Sequence, residues 1–110
     1  MAETFKRAGG AVTSAGTVVY TAPTNTGDGA VVLSISCANV ASSIADITVE
    51  VLDNTGTVVS KLINAAQIAA NTGLEIVQNK VILEAGEGIR LVSSTTNDIH
   101  ATVGILEITA

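Results

Sequence analysis

Three places in the chain bring groups capable of chemistry close together. In "NKVILEAGEGIRLVSS", residues 79 to 94, Glu84 and Glu87 flank Gly86, and Arg90 follows just beyond Gly88. Two carboxylates can divide into a general acid and a general base when burial drives one pKa away from the other. In "TNTGDGA", residues 24 to 30, Gly27 and Gly29 flank Asp28, which raises the question of a loop that cradles phosphate. Near the C-terminus, Asp98 lies two residues before His100, the one histidine of the chain. In a strand these two share a face, as a base and its orienting carboxylate would.

Each arrangement has a plainer reading. Val81 and Leu83 before the glutamates, and Ile89 and Leu91 after them, make the first stretch a turn between two strands, with Gly86 and Gly88 serving backbone angles and the glutamates hydrating the tip. Behind Gly29 comes the strand-like "AVVLSISCA" rather than a helix, so the second stretch is also a turn. His100 is read as a polar residue on the wet face of the last strand, beside Ile99 and Ala101. Cys37 sits in "VLSISCA" in phase with Leu33 and Ile35, as a buried small hydrophobe. Neither the Asp28 loop nor the hairpin turn Asp53-Asn54-Thr55-Gly56 gathers the several oxygens a hard cation takes, and no cysteine or histidine cluster has metal spacing. No Gly-x-Ser-x-Gly elbow occurs. The residues therefore point to a protein that is not an enzyme, with no cofactor and no metal. Phe5 and Tyr20 are the only rings available for stacking on a sugar, which serves a glycan- or receptor-binding module poorly; Tyr20, in phase with Val18, is expected at the edge of the core with its hydroxyl at the surface.

Composition bounds the object that must position these residues. At 110 residues the chain fits one domain able to bury a core without staples, and the one cysteine excludes an intramolecular disulfide. Hydrophobic residues make up 47 %, nearly all aliphatic, since aromatics are 2 %. Charged residues are 14 %, against roughly 25 % in ordinary soluble domains, and mean hydropathy is +0.52. So many apolar residues are hard to hide in one small monomer, which points to a homo-oligomer or a docked subunit. A net charge of −5 and a pI near 4.5 argue against nucleic acid and against acidic membrane surfaces. The uncharged stretches 8 to 27 and 29 to 45 do not read as membrane spans, because Pro23 interrupts the first and the second alternates. No apolar segment of signal-peptide type follows the basic pair Lys6-Arg7.

The apolar period is two almost throughout, in short segments spaced by turn residues. Strands are expected near residues 3 to 8, 16 to 21, 30 to 39, 45 to 53, 57 to 63, 73 to 77, 80 to 84, 88 to 94 and 99 to 109. The fold class is all-β: an antiparallel β-sandwich of about eight to nine short strands, jelly-roll or immunoglobulin-like. Residues 62 to 72, "LINAAQIAANT", admit either a two-turn helix or an extended crossover. In the last strand Ile99, Ala101 and Val103 share a face while Leu106 and Ile108 fall on the other. Either a bulge at Gly104-Ile105 restores one buried face, or both faces are apolar and Leu106 and Ile108 mark a subunit contact. Residues 1 to 15 form an N-terminal arm or edge strand, and 16 to 110 the sandwich proper. In the arm, Phe5, Lys6 and Arg7 are candidate contacts to a neighbouring subunit's sheet edge.

The succession "VVYTAP", a Gly/Asn turn, "AVVLSISCANV", "LEIVQNKVILEAGEGIRLVSS" and "ATVGILEIT" resembles the small all-β structural proteins in virions of tailed bacteriophages, over roughly residues 16 to 109. Its strongest elements are Tyr20-Thr21-Ala22-Pro23 and the run from Ile82 to Leu91. The resemblance implies a virion location after synthesis in a bacterial cytoplasm, with the major capsid protein or other virion subunits as partners. It is compatible with a decoration (cement) subunit and with a neck or tail adaptor. The acidic charge favours the outside of a shell over contact with packaged DNA.

Overall fold

The computed structural model describes residues 2–76 and 80–109, and among these the only regular elements are nine strands. They are β1 (Ala2–Ala11), β2 (Thr17–Thr21), β3 (Gly29–Asn39), β4 (Ala45–Leu52), β5 (Val58–Ile68), β6 (Gly73–Glu75), β7 (Val81–Glu84), β8 (Gly88–Ser93) and β9 (Ile99–Thr109). Part of the expected strand at 73 to 77 lies outside the described residues, as Val77 is not among them.

The strands form two antiparallel sheets. In the first the order is β1-β9-β3, and the far side of β3 is shared by β7, against Gly29 to Val32, and β6, against Ser36 to Ala38. In the second the order is β2-β8-β4-β5. The pairs β1 with β9, β2 with β8, β3 with β7 and β4 with β5 are those of one long hairpin rolled into two layers. That is jelly-roll order. An immunoglobulin sandwich would keep its first two strands in one sheet, whereas β1 and β2 lie in different ones.

The core between the layers is aliphatic. Val32 and Ile35 of β3, Ile47 and Val49 of β4, Ile89 and Leu91 of β8 and Val103 of β9 are fully buried. Each such side chain stabilises the fold by roughly 1.5–3 kcal/mol as an upper estimate, and together they replace the aromatic anchors the sequence lacks.

Bulges reverse the side-chain phase in β3 and β2, where simple alternation does not hold, and β5 carries further register shifts against β4. In β3 the buried residues are Ala30, Val32, Ile35, Cys37 and Asn39, with a register shift against β9 between Val32 and Ser34. Leu33 is the extra residue. It is therefore not in phase with Ile35 and Cys37 as alternation suggested, and Val31 turns to the outer face. In β2 a shift between Val18 and Tyr20 puts Val18 opposite outward Arg90 and Tyr20 opposite buried Ile89, so these two are out of phase, contrary to expectation. One extra residue on one strand is enough to exchange the faces.

By contrast β9 runs without a phase change: Ile99, Ala101, Val103, Ile105 and Glu107 all face inward. The bulge considered at Gly104-Ile105 is on the partner strand instead, and Leu106 and Ile108 point outward.

The segment that wavered between helix and strand is extended through Ile68. Alanine's helix propensity loses to pairing with β4, in which Ala45 opposes Ile68 and Ile47 opposes Ala66. Ala65 takes a positive φ of 52°, and its N–H donates to Thr48 Oγ1 at 2.9 Å. Asn39, also buried, fixes the end of this strand. Its Nδ2 donates to the carbonyls of Ser43 at 2.8 Å and Ile68 at 2.9 Å, while Oδ1 accepts from Ala41 N–H at 3.0 Å.

Candidate interaction surface

The three sequence stretches that suggested chemistry resolve into turns and a wet strand face. Glu87 N–H donates to the Glu84 carbonyl at 3.1 Å and Glu84 N–H to Glu87 Oε1 at 2.8 Å, closing the β7–β8 turn with Gly86 at a φ of 79°. Arg90 does not reach these carboxylates. Its Nε donates to Glu50 Oε1 at 2.7 Å on the adjacent strand, and Lys61 Nζ lies 4.0 Å from Glu50 Oε2 on the other side. Asp28 N–H donates to the Asn25 carbonyl at 2.9 Å, a turn that leads directly into β3.

His100 is exposed on the outer face of the first sheet, in a shallow recess of about 320 Å³ that Ser36, Cys37, Glu75 and Thr102 also line. Ser36 Oγ donates to Glu75 Oε1. Among the described residues no hydrogen bond or ion pair joins His100 to Asp98, Ser36 or Glu75. Burial, with a smaller contribution from negative Glu75, pushes the Cys37 thiol up to about 11, so it is protonated at neutral pH and a poor nucleophile. No cluster of metal-ligating side chains occurs among the described residues.

Tyr20, Glu107 and Lys6 tie the two layers together. The Tyr20 hydroxyl donates to Glu107 Oε2 at 2.6 Å, and Lys6 Nζ lies 3.0 Å from Glu107 Oε1. The hydrogen bond from Tyr20 and the Lys6 ammonium hold Glu107 below the usual carboxylate range, against the opposing effect of its burial. Burial first, and then the carboxylate, push the Tyr20 phenol well above its ordinary value. The Tyr20 hydroxyl is thus engaged within the chain.

The outer face of the first sheet is where the candidate contact residues gather. Phe5 opposes Leu106 across β1 and β9, Leu106 opposes Val31 across β9 and β3, and Val31 opposes Ile82 across β3 and β7. Directly opposed residues in an antiparallel pair share a face, so these four form one apolar row across the sheet. Phe5 is 78 % exposed and Ile82 75 %. Ile108, paired with Glu3, lies one row away on the same face, and Arg7 one row away on the other side, opposite Gly104. Four of the five candidates, Phe5, Arg7, Leu106 and Ile108, therefore share a face. Lys6 is on the opposite side of β1, with its ammonium on Glu107 of the same chain.

Val31 and Ile82 were not singled out from the sequence. The signal for Ile82 was the unbroken apolar run Val81-Ile82-Leu83, in which one residue must face outward. Val31 lies in a similar run, Ala30-Val31-Val32-Leu33, but which of its residues faces outward depends on the bulge at Leu33.

No protein-family model and no curated protein sequence matches the chain. Its structure is similar to a chain of the T13 IBDV viral particle, with a TM-score of 0.49 and 8 % sequence identity over 96 % of this chain and 30 % of that one. The protein thus spans less than a third of that chain's length.

Proposed function

We propose that this protein is a non-enzymatic structural subunit of a virion, synthesised in a host bacterial cytoplasm and placed as a decoration subunit on the capsid exterior. The observation that carries the reading is apolar surface distributed over separate regions of a chain poor in charge. Phe5 and Ile82 are exposed on one sheet face, Val40 and Ile44 in the β3–β4 connection, and Val59 on edge strand β5. Apolar residues scattered singly are ordinary on a monomer, but an apolar row on one sheet face, with more exposed apolar residues at the β3–β4 connection and edge strand β5, suits a subunit with neighbours on more than one side.

The two segments with the strongest resemblance to tailed-phage virion proteins also meet in space. Ala22 N–H donates to the Glu87 carbonyl at 2.8 Å and Gly86 N–H to the Pro23 carbonyl at 3.1 Å, so "YTAP" and "ILEAGEGIRL" form a single structural unit. Function in this reading is passive: many copies, each contributing a modest contact, stabilise the assembled shell by mass action.

The test is a frameshift in this gene within the parent virus. Mutant particles should lack an 11.0 kDa component and release DNA at a lower temperature, and addition of purified protein should restore both. Particles unchanged in composition would overturn the virion reading. Cryo-EM density for the subunit confined to the neck or tail would replace the decoration role with that of an adaptor ring.

A further inference from the structure

The charges around the apolar row follow a pattern that the row alone does not require. On one side of Phe5-Leu106-Val31-Ile82 lies a row that starts with Glu3 opposite Ile108 and ends with Glu84 opposite Gly29. On the other side Arg7 opposes Gly104, which opposes Ser34, and exposed Lys80 precedes β7 in phase with Ile82 and Glu84. The face therefore carries acids at both ends of one flanking row and cations at both ends of the other. Among the described residues none of these four charged side chains forms an ion pair.

We propose that this face binds a second copy of the same chain, packed face to face about a two-fold axis that runs along the apolar row. Rotation about that axis exchanges the two flanking rows while leaving position across the sheet unchanged. Each Glu3 then lies over the partner's Arg7, each Glu84 over the partner's Lys80, and the apolar row over itself. An isologous interface requires this kind of self-complementarity. A partner of uniform charge would be matched by one flanking row and repelled by the other. Sheets stack about 10 Å apart, a distance that the side chains of the two rows fill.

The size of the face sets the strength. Four strands of at most eleven residues present roughly 600 Å² at standard strand spacing, below the roughly 800 Å² per partner of a typical stable complex. Association in the micromolar range is therefore expected in solution, with tighter pairing wherever an assembly raises the local concentration.

Sedimentation equilibrium of the full chain from about 1 µM to about 1 mM covers this range. Wild type should pass from monomer to dimer, and no further. Phe5→Ser and Ile82→Ser, on different strands, should each raise the dissociation constant by at least about tenfold. Should Phe5→Ser fail to fold, as judged by circular dichroism, Ile82→Ser reads the same surface. Arg7→Glu alone and Glu3→Arg alone should each weaken the dimer, and the double exchange Glu3→Arg with Arg7→Glu should restore it. A wild type that stays monomeric at the highest concentration overturns the proposal. So does a double exchange that binds no better than the single reversals. The dimer is measured without virions, so its failure would leave the virion reading standing, and unaltered mutant particles would not remove the dimer.

Discussion

The Tyr20 hydroxyl donates to Glu107 Oε2 at 2.6 Å, joining the first strand of one sheet to the last strand of the other. Tyr20→Phe removes this charge-assisted bond while keeping the ring in place. Stability should fall by about 1–2 kcal/mol, because Glu107 retains Lys6 and partial access to water. Urea unfolding of wild type and variant measures the difference.

The same contact makes a prediction about acid. Glu107 and Asp53 both have carboxyls held below their ordinary values, Asp53 chiefly by the Thr55 hydroxyl and by backbone N–H groups of Thr57 and Thr55. A depressed folded-state pKa contributes stability that is complete above the unfolded-state value and disappears as pH falls through the folded-state one. Stability should therefore be flat near neutrality and decline below about pH 4.5. In Tyr20→Phe, Glu107 moves back toward its ordinary value and the decline should be shallower. Denaturation midpoints across an acid pH series test both statements.

Asn39→Ala should be more damaging than any surface change. It leaves the Ser43 and Ile68 carbonyls and the Ala41 N–H without their partner at a site where Asn39 is 1 % exposed. The expected cost is about 2–4 kcal/mol. Hydrogen exchange should quicken in the C-terminal end of β5, which this side chain holds. A loss confined to residues 40–44 would show that the Ile68 bond contributes little.

Glu50 and Arg90 are paired but not equivalent. Glu50 is 6 % exposed, whereas Arg90 and Lys61 retain substantial contact with water. Arg90→Met leaves a buried carboxylate with only Lys61, 4.0 Å away, and should cost about 2–3 kcal/mol. Glu50→Gln leaves two cations that can rehydrate, at about 1 kcal/mol. Equal costs in thermal melts would contradict this asymmetry.

Gly88 marks a close approach rather than a flexible joint. A Cβ there would lie 2.8 Å from the Tyr20 carbonyl oxygen, so Gly88→Ala must push β2 away from β8. A loss of about 1–3 kcal/mol is expected, together with a shift of the Tyr20 aromatic signals in NMR spectra. The exposed turn glycine Gly56, with open space around it, provides the contrast for packing alone.

The existence of the strands was legible along the chain because a half-buried strand must alternate. "ADITVEVLD" shows this at β4, where Ile47 and Val49 are fully buried. The turns were legible too, since Asp53 to Gly56 and Glu84 to Gly88 carry residues that cap their own backbone or accept a positive φ. Long-range register was not. Leu33 and Val19 become bulge residues only against β9 and β8, and nothing in their identity announces it, because the extra residue is defined by the strand opposite. Local propensity likewise left residues 62 to 72 open until pairing with β4 drew residues 62 to 68 into β5. The row Phe5-Leu106-Val31-Ile82 draws one residue from each of four strands spread along the whole chain. Composition implied that apolar residues would remain exposed on the folded chain. Only the rolled topology, which places the first and last strands side by side, decided where they lie.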